Sequence, residues 1–191
     1  MATPTTLSAT QLLRTRHKEI EDLFTKTLDA QGDQRSELFD CLRATLAVHE
    51  TTEEIFIHPL ARRAGKEGER VVEARLAEEK EATKVLAELE HLGPDGDQFG
   101  TRLTSFRRAV IDHAEKEEQE LFPLLDSTCN ERELNDLAEA IMAGETLAPT
   151  HAHPHAGQNP LALAVAGPFV AMADKARDHF KQWSKDRSKH N

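Results

Sequence analysis

The chain has 191 residues and a formal charge of −10, with ten histidines, two cysteines and no tyrosine. That length buries a hydrophobic core without covalent staples, and the surplus of carboxylates excludes nucleic acid as a partner because phosphates would be repelled. Cys41 and Cys129 form no CxxC pair, the opening residues lack the basic start and apolar run of a secretory signal, and no stretch approaches the roughly 20 apolar residues of a membrane span, so a protein of the reducing cytoplasm is expected.

Apolar residues recur at three- and four-residue steps, the period of a helix. A first helix is predicted from about Ser8, its cap, to Asp29, with Leu12, Leu13, Ile20, Leu23 and Phe24 inward. Gly32 and Asp33 break it. A second, from about Gln34 to Ala64, carries Leu38, Leu42, Leu46, Phe56 and Leu60 on one stripe, with Cys41 one step off it as core filler. A third, from about Glu67 to His91, shows Val72, Leu76, Val85, Leu86 and Leu89. The run Gly93-Pro94-Asp95-Gly96-Asp97 is a turn. A fourth helix, from about Gln98 to Leu125, shows Leu103, Phe106, Val110, Leu121 and Leu124.

Four long helices with short connections make an all-α, up-down-up-down four-helix bundle the economical fold for residues 1–127. Residues 128–191 form a C-terminal extension. It comprises a short helix from about Glu131 to Ala143 ending at Gly144, a His/Pro-rich linker (THAHPHAGQNP) and a final amphipathic helix from Leu161 to about Ser184. That last segment is expected to lie on the bundle, or to serve as a partner surface.

Helices two and four carry the same pattern. HETTEEIFIHPL places His49, Glu53 and Glu54 ahead of Pro59-Leu60, and HAEKEEQELFPL places His113, Glu117 and Glu118 ahead of Pro123-Leu124. Both read H-x3-E-E-x4-P-L. His and first Glu are four apart, on one helix face, and both pairs continue the apolar stripes of their helices into the core. An ionised carboxylate there is costly unless it is paired or holds a metal. One such pair alone reads as a buried hydrogen bond. Two copies facing each other form a ligand set for a transition metal. Glu54 and Glu118 fall beside the stripe and read as solvated.

Helices one and three extend the symmetry, because RHKEIEDLF from Arg16 aligns with EEKEATKVL from Glu78. His17 then corresponds to Glu79, and Glu78 or Lys80 replaces Glu79 if the helix is rotated. The candidate metal set is His17, His49, Glu53, Glu79, His113 and Glu117. His58, beside Pro59 at the helix end, reads as a solvated histidine. His151, His153 and His155 sit in the linker, and His91, His179 and His190 read as surface residues.

Together these motifs resemble the hemerythrin and HHE cation-binding family over about residues 8–127. Members carry a lone His on the first helix, H-x3-E on the second, a His on the third and H-x3-E or H-x4-D on the fourth. The resemblance implies a left-handed bundle around two iron ions, oxo- or hydroxo-bridged, with a small diatomic molecule or peroxide as ligand. A monomer or weak homo-oligomer is expected. This chain departs from the family at Glu78-Glu79-Lys80, where a His would stand. The carboxylate-rich set resembles di-iron proteins that process dioxygen or peroxide more than a pure oxygen carrier. The functional expectation is a protein that binds or reacts with dioxygen, peroxide or nitric oxide, peroxide dismutation included. A second reading is an iron- or oxygen-responsive sensor or store without turnover.

Overall fold

The computed structural model describes residues 7–147. The final amphipathic segment, the linker histidines, His179 and His190 lie outside the described residues. Helix α1 (Ala9–Asp29) starts at a capping box: Ser8 Oγ accepts from the Gln11 amide at 3.3 Å and Gln11 Oε1 accepts from the Ser8 amide at 3.0 Å. Two of the helix's orphan donors are thereby satisfied. Helix α2 (Gly32–Thr52) runs without interruption into a π-helical turn (Glu53–Ile57), a short helix α3 (His58–Ala61) and a 3-10 turn (Arg62–Ala64). Helix α4 (Lys66–Leu92) returns, and α5 (Phe99–Lys116) runs through a second π-turn (Glu117–Leu121) into α6 (Phe122–Thr128). Helix α7 is Glu131–Leu147.

The second and fourth predicted helices therefore each pass through a π-turn, and the shared Pro-Leu of the repeat supplies the reason. Proline lacks an amide hydrogen and clashes with the carbonyl four residues earlier, so the helix widens by one residue before Pro59 and again before Pro123. The amide of His58 bonds to the Glu53 carbonyl and that of Phe122 to the Glu117 carbonyl, a five-residue step at both places. Such π-bulges recur at functional sites.

The reversal into α4 requires glycine. Gly65 has φ +75°, and a Cβ on Gly68 would lie 2.0 Å from the carbonyl oxygen of Ala61. Only hydrogen at that position lets the start of α4 fold tightly under α3.

Helix α1 lies against α2 and α5, and α4 against α5. The apolar core is in two parts. At one end Leu13, Ile57, Val72, Leu121 and Leu125 pack with Leu137 and Ile141 of α7, so α7 closes that end of the bundle. At the other, Phe24 meets Phe106 edge-on at 5.5 Å and Phe39 meets Phe99 at 4.9 Å, among Leu42, Leu46, Leu89 and Leu103. Burying a side chain of this size stabilises the fold by about 1.5–3 kcal/mol.

Three expectations are corrected here. Phe39, not Leu38, heads the inward stripe of α2, since Phe39 is 2 % exposed and Leu38 only half-buried; three- and four-residue steps from Phe39 lead to Leu42 and Leu46. Cys41 is exposed rather than core filler. Helix α7 passes through Gly144 to Leu147. Among the described residues no helix is long and apolar enough to cross a membrane.

Candidate metal centre

A polar layer separates the two apolar clusters. His17, between Leu13 and Ile20 on α1, and His49, following Leu46 on α2, meet edge-on with ring centroids 5.0 Å apart. Glu53 and Glu117, the first residues of the two π-turns, are 0 % exposed. Glu79 of α4 and His113 of α5 complete the six predicted residues, all buried and gathered between the helices.

The donor atoms form overlapping groups. Atoms of His17, His49, Glu53 and Glu117 lie within 4.8 Å of one another, as do those of Glu50, Glu79 and His113, and those of His58, Glu79 and Glu117. Glu117 and Glu79 each belong to two groups. His17 Nε2 is 3.3 Å from Glu117 Oε2, and His113 Nε2 is 3.3 Å from Glu117 Oε1. Glu117 thus reaches toward a histidine on either side, as a bridging carboxylate does. The Glu79 and Glu53 carboxylates lie 3.6 Å from His58 Nε2 and 3.7 Å from His49 Nε2, respectively.

These atoms lack ordinary partners. His17, His58 and His113 each bury an Nε2 with no hydrogen bond, and so do both carboxylate oxygens of Glu53, Glu79 and Glu117. An unsatisfied buried polar group costs about 1–3 kcal/mol, and more when charged. Imidazole nitrogens and carboxylate oxygens at this spacing are a donor set that could hold a metal cation.

Without metal, the carboxyls are forced to share too little positive charge. Burial, together with the neighbouring charge of Glu117, holds the Glu53 carboxyl well above its ordinary range. Burial and Glu50 raise Glu79 to about 8, and burial raises Glu50 to about 7. Glu117 goes the other way: burial pushes it up, but His113 and His17 outweigh that and hold it well below the usual range. Burial would lower His113, yet Glu117 and Glu50 lift it to about 9. His49 is lowered to about 3 by burial and by His17, and His58 to about 4 by burial. Both are therefore neutral, the form that binds a metal.

The opposite ring nitrogens are anchored. His17 Nδ1 donates to Glu118 Oε1 at 2.9 Å, and His113 Nδ1 donates to Glu78 Oε2 at 2.9 Å. Each carboxylate is held in turn by cations: Glu118 by Arg14, Glu78 by Lys116 at 2.6 Å and Arg75 at 3.3 Å. A carboxylate only accepts, so each ring, once neutral, takes the tautomer whose Nε2 lone pair faces the cluster.

The sequence reading missed four of these residues. His58 is 1 % exposed and joins the cluster rather than solvent. Nine residues past His49 is about 2.5 turns of α-helix, the opposite face; the π-turn absorbs one residue and swings His58 back inward. Glu118 is half-buried against His17, not solvated, whereas Glu54 is exposed as expected. Glu50 reaches to 3.9 Å of His113 Nε2. Glu79, not Glu78 or Lys80, turns inward, while Glu78 takes the anchoring role. The one available signal was the repeat itself, which sets His58 and Phe122 at the same offset.

An antiparallel helical bundle with a buried His/carboxylate cluster at mid-height defines a class of metal-binding domain. The family model of the hemerythrin HHE cation binding domain matches residues 8–125. The chain belongs to that family. It is 30% identical over 139 residues to an uncharacterized hemerythrin-like protein of Schizosaccharomyces pombe, covering 72% of this chain and 68% of that one. A DNA nickase of a Nostoc species is 23% identical over 136 residues, 71% of this chain but 38% of its own length. Among solved structures, a hemerythrin HHE cation binding domain-containing protein from Mycobacterium kansasii shares the fold. Its TM-score is 0.67 at 21% identity, over 87% of this chain and 99% of that one.

Proposed function

We propose that this bundle holds two iron ions in the cluster and binds or reacts with dioxygen, peroxide or nitric oxide in the cytoplasm. The observation that carries the reading is the set of buried nitrogens and oxygens without hydrogen-bond partners on five side chains from every long helix of the bundle: His17, Glu53, Glu79, His113 and Glu117. A bound cation offsets the cost of burying such a set more fully than protonation or His–Glu pairing does.

His17 and His49 would hold one ion, and His58, Glu79 and His113 the other, with Glu53 and Glu117 between them. When bound, such a pair supplies coupled one-electron redox steps and an open position for a small ligand. Peroxide dismutation balances with no further reductant, since one peroxide is reduced to water as another is oxidised to dioxygen. Glu118 and Glu78 orient His17 and His113. Phe122, stacked on His17 at 5.7 Å, excludes water from that side, and the apolar clusters close both ends of the polar layer.

Iron per chain and the visible spectrum of the protein purified in air test this reading. About two irons with near-ultraviolet oxo-bridge bands, both lost in a His49→Ala/His113→Ala double variant, are expected, followed by peroxide turnover. Zinc in place of iron, or one ion or fewer, overturns the oxygen-chemistry reading.

A further inference from the structure

A cleft of about 200 Å³ lies between α1 and α5 and reaches the polar layer, where His17, His49 and His113 line its inner end. The Nε2 atoms of His17 and His113 have no hydrogen-bond partner, and their side chains are only 6 % and 9 % exposed. The charged part of the lining is Glu21, Glu50, Glu115 and Glu118 against Lys18 alone. Two of those carboxylates are already matched, Glu21 by Arg107 at 2.9 Å and Glu118 by Arg14. Among the described residues Glu50 and Glu115 pair with no arginine or lysine.

Glu50 joins the cleft to the cluster. It follows His49 on α2, lines the cleft, and buries an Oε2 that has no hydrogen bond and lies 3.9 Å from His113 Nε2. Its carboxylate is also within 4.8 Å of donor atoms of Glu79 and His113. Glu53, Glu79 and Glu117 do not line the cleft. A cation that enters there meets Glu50 before any other carboxylate of the cluster.

Carboxylates along a cleft with low-dielectric walls focus their field, which raises the local concentration of cations and their rate of arrival. A cleft of this volume holds several waters, so an ion can enter hydrated and exchange water for carboxylate oxygen inside. We infer that the cleft is the loading route of the centre: a divalent cation enters past Glu115, is held in passing by the Glu50 carboxylate, and moves from it to the histidine nitrogens. The route rests on the proposed metal centre for its destination.

Cobalt(II) added to metal-free, full-length protein serves as the probe. It binds nitrogen and oxygen donors more tightly than iron(II), and its visible absorption changes when imidazole and carboxylate replace water. Stopped-flow absorbance reads the rate of uptake, chelator challenge the rate of release, and titration the affinity. At low ionic strength Glu115→Lys is expected to slow uptake about fivefold and Lys18→Glu to speed it about threefold, both effects shrinking at about 1 M salt. Glu73→Lys makes the same charge change at an exposed position of α4 outside the cleft, and is expected to leave the rate nearly unchanged. Glu50→Gln is expected to slow uptake and release about tenfold each, with affinity kept, because a group that holds the ion in passing acts equally in both directions.

Uptake rates that Glu115→Lys and Lys18→Glu leave unmoved, or that Glu73→Lys shifts as much, overturn the route and leave the metal centre standing. A Glu50→Gln protein that loses affinity at an unchanged uptake rate makes Glu50 a resident ligand, and overturns its part in loading. Unsubstituted protein that binds no cobalt(II) at equilibrium sinks the metal centre and the route together, so the two failures are distinct.

Discussion

His58 and Phe122 occupy equivalent places in the two halves of the bundle, each nine residues after the histidine of its repeat and each turned inward by a π-turn. His58 directs Nε2 to 3.6 Å from Glu79, whereas Phe122 lies over His17 with its ring 5.7 Å away. One half of the cluster thereby carries an extra imidazole where the other carries an apolar wall. The two metal positions of the proposed centre are unequal for that reason.

Exchanging these two side chains tests the inequality. His58→Phe is expected to lower bound metal from about two ions per chain toward one, with the helical content of the protein kept. Phe122→His is expected to keep both ions and weaken azide binding about tenfold, because an added imidazole competes for the open position. Elemental analysis and azide titration read the two effects. Retention of two ions in His58→Phe would remove His58 from the ligand set.

The anchoring carboxylates should act on metal affinity rather than on folding. Glu118→Gln and Glu78→Gln keep side-chain volume but replace an ionised acceptor, and each is expected to weaken metal binding about 10–100-fold. Competition with a chromogenic chelator measures this. An unchanged affinity in both variants would show that His17 and His113 need no anchor.

Buried carboxylates that await a metal weaken the metal-free fold. Glu53→Leu is therefore expected to stabilise metal-free protein by about 1–3 kcal/mol, a rise in Tm of about 2–4 °C per kcal/mol for a chain of this size, while abolishing loading. Thermal melts of metal-free protein settle the sign, and a fall in Tm would mean that Glu53 has a structural partner.

The pH dependence has a definite direction. Glu79 and His113 are raised to about 8 and about 9 from reference values of 4.5 and 6.5, so across those intervals the metal-free fold holds more protons than the unfolded chain. Stability therefore falls as pH rises through about 8 and about 9. His49 and His58, lowered to about 3 and about 4, act oppositely, but only below 6.5. Metal-free protein is expected to lose Tm between pH 6.5 and about 9, and the gain in Tm on adding iron should grow over the same range, because ligand protons no longer need displacing. A metal-free Tm that climbs through this window would contradict the assignment of these groups.

The four long helices, their antiparallel order and the six residues His17, His49, Glu53, Glu79, His113 and Glu117 were legible in the linear chain. Helical periodicity tells which face of a helix is inward, and a carboxylate on an inward face is conspicuous because burying it is costly. His58 was not legible, since an α-helical projection puts it on the wrong side until the bulge forced by Pro59 is known. Glu118 and Glu78 were not legible either: on their own helices they are surface positions, and only the approach of α1 to the π-turn after α5, and of α4 to α5, gives each a histidine to hold. The sequence by itself determined that these six groups would be buried and what chemistry they could offer. Tertiary structure decided which groups come within reach of one another and which carboxylates anchor the histidines, because those depend on distances between helices that no periodicity encodes.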